Sequence, residues 1–163
     1  MSPPVWILRA EDLLRAAGIL EAEVLEELQA PPVLDHSTYD TDTNGVTGVY
    51  FMLVAFAIEN LLKAKLIRLH RNGVIEHFEA TPSLPLSLRS HDLATLALSA
   101  GFRASPDELA LLRRLANAAV WDGRYPVPIR AESVEAEGPQ AKSDYYAGGG
   151  YDLEALSGVS GIL

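Results

Sequence analysis

The chain contains no cysteine, which removes disulfides, thiolate metal sites and cysteine nucleophiles from consideration and fits a reducing compartment. It also lacks an apolar stretch of the ~18 residues that a membrane span needs. Its N-terminus, Met1-Ser-Pro-Pro-Val-Trp-Ile-Leu-Arg-Ala-Glu-Asp12, has no basic segment followed by an apolar run of signal-peptide length. A soluble, cytoplasmic protein with no membrane association is therefore expected. No internal repeat and no convincing period-two strand pattern occur, so nothing predicts a sheet. No Gly-x-Ser-x-Gly elbow is present. The histidines His36, His70, His77 and His91 never fall at i, i+3 or i+4 on one helix, the spacing a zinc site prefers. The triple glycine Gly148-Gly-Gly150 has neither the preceding strand nor the spacing of a dinucleotide fingerprint. No metal and no cofactor are expected.

What is present is apolar material and an uneven charge. With 163 residues, 48% of them hydrophobic, the chain has enough to fill one core. We expect a single helical domain over residues 1–130, its core within 47–128, and an acidic, glycine-rich tail over 131–163. The net charge of −9 divides as −7 over residues 1–45 (two bases, nine acids), +3 over 46–130 (ten bases, seven acids) and −5 over 131–163 (one base, six acids). Acidic flanks confer solubility, and they are also suited to covering a basic surface in the same or a partner chain.

The organising stretch is Tyr50 to Leu69. Every residue from Val49 to Ile58 is apolar, so a helix here needs cover on nearly all sides and belongs at the centre of a bundle. After it, Glu59, Asn60 and Lys63 fall within roughly 100° of one another and make one polar stripe. The plainest reading of that stripe is a surface Glu-to-Lys pair at i, i+4. A sharper one is a polar patch lining a groove.

In chain order, Pro3 and Pro4 predict a stiff start and Arg9 to Gln29 a helix, which Gly18 is placed to interrupt. Leu13, Leu14, Ala17, Leu20, Val24, Leu25 and Leu28 mark its apolar side, and Pro31 and Pro32 end it. Asp35 to Gly45 reads as a loop. Its alternating Asp40, Asp42 and Asn44 lack the closing glutamate of a calcium loop, and an Asn or Thr is expected to cap the next helix. Gly73 is expected to stop the central helix, leaving residues 72–89 as a second connection. Ser90-His91-Asp92-Leu93 opens a short helix closed by Gly101. Ser105-Pro106-Asp107-Glu108 is a capping box with proline at the first helical position. The helix that follows, to about Trp121, turns Leu109, Leu112, Leu115 and Ala119 inward and Arg113 and Arg114 outward.

Three of these pieces form an ordered set: Ala57-Ile-Glu59-Asn-Leu-Leu-Lys63-Ala, His91-Asp-Leu93-Ala-Thr-Leu96-Ala, and a leucine-rich helix running into Gly123-Arg124-Tyr125-Pro126. In order and spacing they resemble the HEPN (higher eukaryotes and prokaryotes nucleotide-binding) family, over about residues 47–128. The resemblance implies an all-α, up-and-down bundle of four or five helices, commonly a homodimer and often partnered by a nucleotidyltransferase-like antitoxin. Catalytic members are metal-independent ribonucleases whose motif is an arginine followed, after four to six residues, by a histidine. Arg124 resembles that arginine, but Tyr125-Pro-Val-Pro-Ile-Arg130 follows and no histidine lies beyond it. Arg71 and His77 have the right separation in the wrong place, which makes them weak catalytic candidates.

Glu59 and Lys63 fall on polar positions of the family motif, and with Arg124 and Tyr125 they are the candidate ligand groove. The expectation is a non-catalytic HEPN-like module that binds a nucleotide, RNA or a partner protein. The alternatives are a HEPN-type ribonuclease toxin and a purely structural interaction module.

Overall fold

A helix can begin at proline, because its missing N–H would be unpaired in the first turn in any case and its φ is already helical. That is how the chain starts in the computed structural model, which describes residues 2–29, 46–81 and 83–122. Helix α1 spans Pro3–Gln29, with Val5 N–H donating to Ser2 O at 3.2 Å, so the stiff start expected at Pro3 and Pro4 is the first turn of the helix. Gly18 does not interrupt it. The glycine is exposed, and its cost of about 1 kcal/mol relative to alanine is outweighed by packing along the helix.

Six helices and one wide turn make up the described residues, which include no strand: α1, α2 (Thr47–Leu69), α3 (Arg71–Ala80), α4 (Leu86–Arg89), α5 (Leu93–Ser99), α6 (Pro106–Asn117) and a π-helical turn over Ala118–Asp122. The protein is an all-α helical bundle. Among the described residues, no helix is long and apolar enough to cross a membrane. The expected loop over 35–45, Gly123, Arg124 and Tyr125, the extended 125–128 segment and the 131–163 tail lie outside the described residues.

Helix α2 is the centre, packed by α1, α3, α5, α6 and the π turn. Phe51, Ala55, Ala57, Ile58 and Ile67 are buried, as an all-round apolar helix requires. Helix α1 packs antiparallel along it. The end of α1 meets the start of α2 through Glu27, while Trp6 near the start of α1 stands over Lys63 near the end of α2. The fully buried α1 residues, Ala10, Ala17 and Val24, repeat every seven positions, the seam of two helices in coiled-coil contact. The leucines expected to form the apolar side are only half buried, because among the described residues α1 packs essentially on α2.

The start of α2 is held from a distance. Its N-cap residue is Val46, which offers no side-chain hydrogen bond. The Glu27 carboxylate substitutes: it accepts from Val46 N–H at 2.7 Å, from Thr47 N–H at 3.1 Å and from the Thr47 hydroxyl. An anion at a helix N-terminus satisfies orphan amides and complements the helix dipole, and here it also clamps the hairpin. The local Asn or Thr cap expected for this helix is replaced by this long-range one.

The second connection is likewise corrected. Residues 71–80 form α3, ten residues long, and residues 86–89 a single turn, α4. Gly73 sits inside α3 rather than ending α2, and buried Val74 anchors the helix to the core.

The last helices follow local chemistry. Asp92 caps α5, its carboxylate accepting from Thr95 N–H at 3.0 Å and from the Thr95 hydroxyl at 2.7 Å. Gly101, with φ of 81°, closes it. Ser105 and Glu108 form the reciprocal capping box with Pro106 in the first turn. Leu112, Leu115 and Ala119 are buried as expected, and Leu111 joins them, while Arg114 is half buried.

The Thr95 hydrogen bonds hold the Asp92 carboxyl below its ordinary range. Because the folded-state value is the lower one, the stabilisation is complete above the unfolded value of about 3.9 and is lost as pH falls through the folded value. Asp92→Ala is expected to cost about 0.5–2 kcal/mol at neutral pH. In denaturant titrations, the gap between wild type and variant closes at strongly acidic pH and is constant between pH 6 and 8.

Candidate functional site

Where α2 passes the start of α5, its polar stripe meets a polar partner. Glu59 and Lys63 lie one turn apart, and Lys63 Nζ donates to Glu59 Oε1 at 2.6 Å. The pair is buried, Glu59 at 7% and Lys63 at 4% exposure, so the surface-pair reading is wrong. The cause is tertiary: α1 covers this part of α2 with Trp6, whose ring centroid lies 6.0 Å from Lys63 Nζ, and the segment leading into α5 covers the other side. Attraction between the ammonium and the indole face recovers part of the desolvation cost.

The second carboxylate oxygen is also used. His91 Nδ1 lies 2.9 Å from Glu59 Oε2, across 32 positions of sequence. Glu59 thus joins two helical segments, bonded to the ammonium on its own helix and to the imidazole at the mouth of α5. The His91 side chain is 62% exposed, so the cluster reaches solvent through an imidazole backed by a buried carboxylate. Next to it, Asp92 is committed to capping α5. The remaining member of the stripe, half-buried Asn60, donates back to Phe56 O at 2.6 Å.

Of the predicted site residues, the structure brings Glu59 and Lys63 together and adds His91 and Trp6, which sequence reasoning did not assign to the site. Arg124 and Tyr125 lie outside the described residues. Arg71 and His77 both stand on α3, six positions apart, which on a helix is roughly 9 Å of rise and about 120° of rotation. One continuous helix through Gly73 carries both, and it does not juxtapose them. His77 Nε2 is buried without a hydrogen-bond partner among the described residues.

A second polar region lies at the elbow between α2 and α3. Arg68, Leu69, His70, Arg71, Asn72 and Gly73 line an open cavity of about 410 Å³. His70 ends one helix and begins the next.

No family model, no curated protein and no solved structure matches this chain.

Proposed function

We propose that the protein is a non-catalytic, HEPN-like helical module that binds a phosphate-bearing ligand, a nucleotide or RNA, and acts as a homodimer. One observation carries the reading: Glu59–His91 joins two of the three sequence pieces on which the resemblance rests, over 32 positions of sequence. Both oxygens of Glu59 are engaged, one by Lys63 and one by His91. With one oxygen on each neighbour, the carboxylate is placed to position them. The ten bases of residues 46–130, eight of them among the described residues, supply the positive charge a phosphate requires, within a chain that is otherwise acidic. The dimer reading draws support from α1, which packs on α2 and leaves Val5, Leu8 and Ile19 exposed.

The ribonuclease reading keeps one specific observation in its favour. An exposed imidazole held at Nδ1 by a buried carboxylate is the orientation that acid–base catalysts use.

Fluorescence anisotropy of a labelled single-stranded RNA tests the binding function. The expected result is weak binding at low salt that collapses as salt rises, since few phosphates are neutralised against a net charge of −9. Absence of binding to RNA and to nucleotides at low salt would remove this reading and leave the structural interaction module.

A further inference from the structure

We propose that the α2–α3 elbow is a phosphate-binding site, separate from the Glu59 cluster and formed by Arg68, His70, Arg71 and the open face of Gly73. The inference rests on the nucleotide- or RNA-binding reading for its biological ligand, but its geometry stands apart from it. Two guanidinium groups and an imidazole fall within four consecutive residues around one cavity, and among the described residues no carboxylate lines it. Neither Arg68 nor Arg71 forms an ion pair or side-chain hydrogen bond among the described residues. Arg68 in the last turn of α2 and Arg71 at the start of α3 border the same hollow, where an oxyanion can take charge-assisted hydrogen bonds from both.

Gly73 supplies an independent observation. It stands in the first turn of α3, where a side chain would favour the helix, yet a Cβ built there meets nothing within 4 Å. Packing does not require the glycine, and neither does its backbone, which has no positive φ. A bare backbone at the wall of a basic cavity leaves room for a group to approach closely. The hollow is wide open, and all six residues that line it are exposed. Leu69, 55% exposed at its rim, offers an apolar surface beside the charged one. Two guanidinium groups present more donors than one carboxylate can accept, which favours a phosphate with three or more acceptor oxygens over an acidic peptide. The phosphate is that of a free nucleotide or of an RNA backbone.

The test is calorimetric titration of the full-length protein with inorganic pyrophosphate, with ADP, with a short single-stranded RNA and with a poly-glutamate peptide. Wild type is expected to bind pyrophosphate. Arg68→Ala and Arg71→Ala are each expected to weaken that binding by about tenfold or more, with circular dichroism and melting unchanged because both side chains are exposed. Gly73→Ala is expected to weaken binding without loss of thermal stability, a result that a disturbed fold cannot produce. Arg15→Ala, which alters an exposed arginine paired with Asp12 on α1, is expected to leave binding intact.

ADP binding without RNA binding identifies the free nucleotide as the source. RNA binding that pyrophosphate competes away, with a salt slope lowered by about 1 in each arginine variant, identifies the backbone. Pyrophosphate binding that survives the double variant Arg68→Ala/Arg71→Ala overturns the proposal, as does a poly-glutamate peptide binding as tightly as pyrophosphate, or wild type binding no phosphate at all. RNA binding lost in Arg124→Ala but retained in the elbow double variant would overturn the elbow and keep the proposed function.

Discussion

Lys63→Ala is expected to destabilise the protein by about 3–5 kcal/mol, because it strands a carboxylate in the interior. Glu59 is 7% exposed, and its bond to His91 leaves the oxygen that faced the ammonium without a partner. His91→Ala removes a hydrogen bond whose imidazole is largely in solvent, and is expected to cost only about 0.5–1.5 kcal/mol. The double variant Glu59→Met/Lys63→Met is expected to recover most of the loss seen in Lys63→Ala. Buried ion pairs replaced together by apolar groups of similar volume are often neutral or stabilising. Denaturant unfolding of the three variants gives the ordering directly. A Lys63→Ala variant as stable as wild type would mean that Glu59 has another partner or is open to water.

Ala57→Asp is expected to abolish folding. Ala57 is fully buried on α2, the helix that the other elements pack against. An unpaired carboxylate there costs several kcal/mol against a total stability of about 5–15 kcal/mol. Circular dichroism of the purified variant should show no cooperative melting transition. A wild-type melting curve would show that α2 is not the centre of the bundle.

How much of this is legible in the sequence depends on how local the cause is. The apolar run from Val49 to Ile58 dictates a helix that needs cover, and the structure buries Phe51, Val54, Ala55, Ala57 and Ile58 while leaving Tyr50, Met52, Leu53 and Phe56 half buried and Val49 exposed. The Ser105–Glu108 capping box is closed within four residues, so its chemistry is readable without any tertiary knowledge. Helix α3 is not readable in that way. Asn72 and Gly73 punctuate the sequence, and only the burial of Val74 against the core shows that the helix forms through them. The cap from Glu27 to Val46 spans 19 positions, and no local pattern announces it.

The site divides along the same line. Glu59 and Lys63 are identifiable because their spacing of four places them on one stripe of one helix. Their burial is not identifiable, since it is imposed by Trp6 from α1 and His91 from the approach to α5. Some signal for His91 exists: a histidine directly before the helix-capping Asp92 is held at a fixed position, and such a residue is available to a neighbouring helix. The Arg71 and His77 pair shows the opposite error. Its spacing in sequence is suitable, while the 3.6-residue helical turn separates the two side chains.

A protein that binds RNA or a nucleotide as proposed, without the family's catalytic histidine after Arg124, is expected to leave RNA uncut. Acid–base cleavage of RNA needs a group that exchanges a proton near neutral pH, and arginine, which stays protonated far above that range, can only hold phosphate. The most direct measurement is cleavage of a labelled RNA in chelator by excess wild-type protein, run beside Arg124→Ala, His77→Ala and His91→Ala. The RNA is expected to remain intact at background level with all four proteins. Cleavage by wild type that is lost in His91→Ala, His77→Ala or Arg124→Ala would contradict it and would name the catalytic residue.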